Sequence, residues 1–138
     1  MRLKIALLSL GLLCSSVTWA EDFTGTYISA KSKSELLLKK QGRQYQFSLL
    51  AFNGHNSGGL TGVVTFVQNK ATFVDTDYSD CRLNLTYVES QIAKAKPNIM
   101  VTQHGSSADC GFGLNVFADG DYRLVNKSVD FSSHHLGH

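Results

Sequence analysis

From residue 23 to residue 125 the chain is written in short runs of alternating apolar and polar residues, and nearly every run is closed by glycine, asparagine or aspartate. A period of two places every second side chain on the same face of an extended strand, and that face leaves water only when neighbouring strands cover it. Arg43 to Phe52 is the clearest run: Tyr45, Phe47, Leu49 and Ala51 fall on one face, Gln44, Gln46 and Ser48 on the other. Cys81 to Val88 repeats the pattern with Cys81, Leu83, Leu85 and Tyr87 inward. No run has the length or the 3.6-residue period of a helix.

Taken in order, the pattern predicts a first strand at Phe23 to Ser29 and a polar turn at Ala30 to Lys33. A hairpin over 35–52 turns at Gly42. Asn53 to Gly59, with three glycines, two asparagines and a serine, reads as a loop unable to form a packed element. Leu60 to Gln68 and Ala71 to Asp75 are expected to pair as a second hairpin about Asn69-Lys70. Asn98 to Gln103 is a seventh strand, and Asp119-Gly120 reads as a hairpin-type turn into the last strand, Tyr122 to Val125. The expectation is an all-β fold, a small antiparallel β-barrel or tight sandwich of about eight strands.

Residues 1–20 stand outside this pattern. Arg2 and Lys4 precede an apolar run from Ile5 to Cys14, and Thr18-Trp19-Ala20 ends in a small residue, the layout of a cleaved signal peptide. Leu13 occupies the position before Cys14 where lipoprotein processing uses a small residue, which argues against acylation. The apolar run falls short of the roughly 20 residues that span a bilayer, so an exported, periplasmic or secreted protein without membrane insertion is expected. The 13 basic residues include Arg2 and Lys4, and all 11 acidic residues lie beyond residue 20, so the chain from Glu21 onward is formally neutral. The basic pI therefore belongs to the leader and implies no nucleic-acid partner. Residues 21–125 are expected to form a single β domain, and 126–138 a polar, histidine-containing tail.

Two cysteines, Cys81 and Cys110, remain after cleavage. An even pair in an exported chain predicts a disulfide, and the absence of a CxxC spacing weighs against the alternative of metal ligands. A loop of about 30 residues closed in this way is worth roughly 3–4 kcal/mol in the chain-entropy account.

Other constellations are weaker. His134, His135 and His138 have metal-binding spacing, but lack a fourth ligand and are expected to meet only solvent. Ser57, His104 and Asp109 form a catalytic set on paper, without a nucleophile elbow or an oxyanion hole. Asp75, Asp77 and Asp80 lack the glycine and distal glutamate of a calcium loop. No enzyme activity, metal or cofactor is expected. Lys31, Lys33, Lys39, Lys40 and Arg43 read as one basic end, of the kind that protects edge strands or steers an acidic partner.

The size, the barrel pattern, the single disulfide and the segment Cys110-Gly111-Phe112-Gly113 running into Asp119-Gly120-Asp121-Tyr122 resemble small periplasmic bacterial proteins. Among these the chain looks like the periplasmic inhibitors of c-type lysozyme, antiparallel barrels that insert a loop into the enzyme's cleft. That family uses a Ser-Gly loop and a lysine in the next hairpin. Ser57-Gly58 and Lys70-Ala71 stand at the matching positions, while Gly59-Leu60 replaces the aromatic that accompanies the family's Ser-Gly. The resemblance implies a protein partner, a lysozyme-like hydrolase, met by Ser57, Gly58 and Lys70, with His55 and Asn56 supporting the loop. Two other readings remain open: a small-ligand barrel lined by Tyr27, Tyr45, Phe47, Phe66, Phe73 and Tyr87, and an immunity protein against another exported toxin.

Overall fold

The computed structural model describes residues 21–75, 80–90, 92 and 95–134. Eight antiparallel strands make one sheet: β1 Gly25–Ser29, β2 Glu35–Gln41, β3 Gln44–Asn53, β4 Asn56–Val64, β5 Lys70–Val74, β6 Arg82–Val88, β7 Asn98–His104 and β8 Gly120–Asn126. Their spatial order, β4-β3-β2-β1-β8-β7-β6-β5, curls the sheet into a nearly closed barrel joined across β1 and β8. No helix among the described residues is long and apolar enough to cross a membrane.

The alternating faces fall where the sequence predicts. Phe47, Leu49 and Ala51 of β3, Leu83 and Leu85 of β6, and Tyr27 of β1 are all buried. The inward pairs on β3 and β4 are Phe47 opposite Gly62, Leu49 opposite Leu60 and Ala51 opposite Gly58, and only the first sets a large side chain against a glycine. The interior is solid with rings. Phe23 stacks on Tyr87 with centroids 4.1 Å apart, and Phe47 meets Phe73 edge to face at 4.9 Å. These aromatics fill the barrel instead of lining a hollow interior.

Three connections depart from the sequence reading. The expected loop over residues 53–59 shrinks to a two-residue turn, Gly54-His55, and Asn56 to Gly59 belong to β4, paired with β3 in register from Asn53↔Asn56 onward. Gly54 at φ 63° supplies the left-handed first position that a Gly-X hairpin turn requires. The glycines after it are not turn residues; they sit where other chain segments come close.

The expected hairpin of strands four and five does not form a ladder. Their turn is Gln68-Asn69, both at positive φ, and pairing stops at the single Val67↔Lys70 bridge. Beyond it, the ring of Phe73 packs onto Gly62, where any Cβ would collide with it. A side chain thus fills the seam that backbone hydrogen bonds would otherwise close.

Asp119-Gly120 is likewise not a hairpin turn. Gly120 already pairs with Val101, so residues 105–119 form one long connection between β7 and β8.

Residues 127–134 are no loose tail. They cross the outside of the barrel from β1, where the Thr26 hydroxyl donates to the Ser128 carbonyl (2.8 Å), to β2 and β3. A single 3-10 turn at Phe131–Ser133 leads into His134, which is buried. Leu37 on the outer face of β2 is 1% exposed although it lies outside the interior cluster. Its cross-strand partner Ser48 is bonded to His134, so this C-terminal strap is what shields it. Covering a leucine is worth roughly 2 kcal/mol.

Candidate functional site at the clasp end of the barrel

Successive hairpins of a meander alternate between the two ends of a barrel. The β3–β4 turn and the β7–β8 connection share one end, where the open β4/β5 seam is widest. The long connection closes that seam like a clasp.

Cys110 bonds to Cys81, with Cα atoms 4.8 Å apart, which ties the clasp to the base of β6. Gly113 N–H donates to the Ser57 carbonyl at 3.1 Å, which ties it to the free edge of β4. Between these anchors Phe112 lies buried against Gly58, where any Cβ would stand 2.7 Å from the Phe112 Cα. Gly58 is therefore a close-approach glycine, required by the clasp.

The clasp is also braced within itself. Ser106 N–H donates to Asp109 Oδ2 (2.8 Å) and Asp109 N–H donates back to Ser106 Oγ (3.1 Å). Phe112 N–H donates to the Ser107 carbonyl at 2.8 Å, and Gly111 takes φ 71° to make that turn. Farther on, the Asn53 amide donates to the Asn115 carbonyl (2.7 Å) and the Asn56 amide to the Leu114 carbonyl (3.1 Å). Asn115 is held at φ 58°. The result presents Leu114, 73% exposed, and Phe117, 45% exposed, on a backbone fixed from both sides.

His55, Asn56, Ser57 and Gly58 all belong to this end. His55 is exposed at the turn, Asn56 secures the clasp through its side chain, and Ser57 secures it through its backbone. Lys70 does not join them. It follows the β4–β5 turn at the opposite end, separated from Ser57 by roughly 20 Å of extended β4 at about 3.3 Å per residue. The structure therefore does not bring Ser57 and Lys70 into one site. The basic residues divide in the same way: Lys31 and Lys33 lie near the clasp, Lys39, Lys40 and Arg43 at the far end.

The paper triad of Ser57, His104 and Asp109 is not assembled. His104 Nε2 meets the Asn84 amide at 3.0 Å, and Asp109 is engaged with Ser106. Of the aspartate cluster, Asp77 lies outside the described residues, as do His135 and His138.

A serine, a histidine and a carboxylate do meet elsewhere. Ser48 Oγ lies 2.8 Å from His134 Nδ1, and His134 Nε2 lies 2.8 Å from Glu35 Oε1. Ser48 is only 3% exposed, so no substrate carbonyl reaches its hydroxyl. Both ring nitrogens are occupied, which leaves none for a metal. The arrangement is a latch for the strap, and the expectation that the C-terminal histidines meet only solvent fails at His134.

Sequence reasoning passes over Leu114, Asn115 and the asparagine brace. Their signal is the pair Asn53 and Asn56 flanking a glycine turn, but it acquires meaning only when the clasp is beside it. Comparison of the chain with protein-family models, with curated proteins and with solved structures finds no match.

Proposed function

We propose that this is an exported, non-enzymatic binding protein that presents its clasp end to a protein partner, most concretely as a periplasmic inhibitor of lysozyme or another cell-wall hydrolase. One observation carries the reading. Leu114 stands 73% exposed on a loop fixed by a disulfide and by two asparagine-to-carbonyl hydrogen bonds. A large apolar side chain on a rigid projection loses little conformational freedom on binding, and such anchors dominate protein interfaces. His55, Asn56 and Ser57 surround it with the polar groups that would meet the carboxylates of a hydrolase cleft. In this reading Lys70 takes no part in the clasp-end contact.

The disulfide is compatible with an oxidising compartment and supports export. The test is inhibition of a panel of lysozymes and cell-wall hydrolases by the oxidised protein. Leu114→Asp is expected to weaken inhibition by roughly 30-fold or more, the scale of an interface hot spot. Undiminished inhibition by Leu114→Asp rules out the clasp end. Inhibition of no hydrolase, with stoichiometric neutralisation of a different exported toxin, moves the protein to the immunity class.

A further inference from the structure

The opposite end of the barrel carries a second, chemically different recess. Where β2, β3 and the β4–β5 turn end, a cavity of ≈ 500 Å³ opens above the aromatic plug. Its floor is Phe66, half-buried, standing edge to face with Phe23 (4.8 Å) and Tyr45 (5.4 Å). These three rings and Tyr87 hold one another in place, so the floor is preformed.

Its rim bears cations and amides. Lys40 lies on the core-facing side of β2, directly opposite Tyr45, and so projects over the mouth. Arg43 follows Gly42 in the β2–β3 turn. Among the described residues neither side chain is held in an ion pair or a hydrogen bond. On the other side stand Gln68 and Asn69, at φ 51° and 69°, a left-handed pair of non-glycine residues that side chains ordinarily avoid. Val67 N–H to the Lys70 carbonyl (2.8 Å) closes this turn, and Tyr87 N–H to the Asn69 carbonyl (2.8 Å) fastens it to β6. The two side-chain amides make no hydrogen bond among the described residues and line the recess.

Carboxylates share the mouth with these cations. Asp22 Oδ1 accepts from Thr24 N–H at 2.9 Å and lies 3.5 Å from the Tyr45 hydroxyl, and its charge interacts with that of Lys40 and offsets part of it, which leaves Arg43 as the principal cation for an anion. Glu21 adds one negative charge to the rim, and cleavage after Ala20 would place an α-amine on the same residue.

We propose that this mouth binds an acidic saccharide, a pyranose carrying a carboxylate or phosphate. An aromatic floor accepts the C–H face of a sugar ring through its electron-rich surface. The Gln68 and Asn69 amides supply both donors and acceptors for ring hydroxyls. Arg43 and Lys40 meet the anion, Arg43 with a planar fork suited to either oxyanion. The volume lies in the range of small-ligand sites, which occur in barrel mouths. The site is independent of the clasp end, so its failure leaves the inhibitor reading untouched.

The experiment titrates the oxidised protein with glucuronic acid, glucose 6-phosphate, glucose, benzoate and inorganic phosphate, following amide NMR shifts. Saturable shifts at Arg43, Phe66, Gln68 and Asn69 are expected with one or both acidic sugars, and the preferred one identifies the anion. Arg43→Gln should weaken that binding about tenfold or more, and Phe66→Ala should do the same with the fold retained. Leu114→Asp should leave it unchanged. Glucose binding as tightly as the acids overturns anion recognition, and benzoate or phosphate binding as tightly overturns sugar recognition. Absence of saturable shifts, or an Arg43→Gln variant that binds as well as the parent, overturns the site.

Discussion

His134 reaches back across 86 residues to place Nδ1 2.8 Å from the Ser48 hydroxyl, while its Nε2 lies 2.8 Å from the Glu35 carboxylate. A carboxylate only accepts, so in the neutral ring Nε2–H donates to Glu35 and Nδ1 accepts from Ser48. One imidazole thereby fastens the C-terminal strap across β2 and β3 and satisfies a hydroxyl that the strap has buried.

Replacing that imidazole leaves Ser48 and Glu35 without their partner. His134→Ala is expected to cost roughly 2–3 kcal/mol, since one lost bond involves a charged group and the other a buried hydroxyl. Urea unfolding measures it. Limited proteolysis should cut within 127–133 in the variant before the barrel opens, and a variant as stable and as protected as the parent would refute the latch.

Gly58→Ala places a methyl group against Phe112. Overpacking of this kind costs about 1–3 kcal/mol. Two of the colliding atoms, the Phe112 Cα and Cβ, lie 2.7 and 2.8 Å from that methyl and persist in Phe112→Ala, so shortening the side chain should not restore stability. Thermal unfolding measures the loss, and a Gly58→Ala protein as stable as the parent would refute the close approach.

Reduction of Cys81–Cys110 removes the covalent anchor of the clasp. A loss of about 2–5 kcal/mol is expected, the usual range for a small exported domain. Hydrogen exchange should rise first at Phe112 and Gly113, whose N–H groups bond to Ser107 and Ser57. Protection there that survives reduction would show that the noncovalent contacts suffice.

Tyr27 and Tyr122 are sealed in the core, and burial foremost raises the pKa of each phenol far above its ordinary value of about 10. Nearby Tyr87, Tyr45 and Asp22 add to the rise at Tyr27. A raised folded pKa means that the unfolded chain loses its protons first. The stability these groups confer is complete below about pH 10 and falls as pH climbs beyond it, by up to about 1.4 kcal/mol per pH unit for each. Denaturation midpoints between pH 9 and 11.5 test this, and Tyr27→Phe should show a shallower decline than the parent.

The strands themselves were legible in the sequence, because alternation at period two records which side chain faces the core wherever a strand is half buried. Tyr45 to Ala51 and Leu83 to Tyr87 show it cleanly, and β2, β3, β6, β7 and β8 lie within a few residues of their expected positions. The disulfide was legible from the parity of the cysteines. The glycines of Asn53 to Gly59 misled, since glycine marks equally a turn and a place where another segment presses on the backbone. Gly54 is the first kind, Gly58 and Gly62 the second, and only the arrival of Phe112 and Phe73 tells them apart.

What the sequence determined by itself was the strands and their buried faces, which follow from the preferences of residues close in the chain, and the covalent staple, which follows from the count of cysteines in an exported chain. The tertiary structure alone decided where the barrel stays open, which segment closes it, that Ser57 and Lys70 stand at opposite ends, and that His134 belongs to the fold. Each of these depends on residues that are not neighbours in the chain, from Gly62 and Phe73 to Ser48 and His134. They are settled by how β4 and β5 pack around Phe73 and how the strap settles over Leu37, and no local pattern of hydrophobicity encodes either outcome.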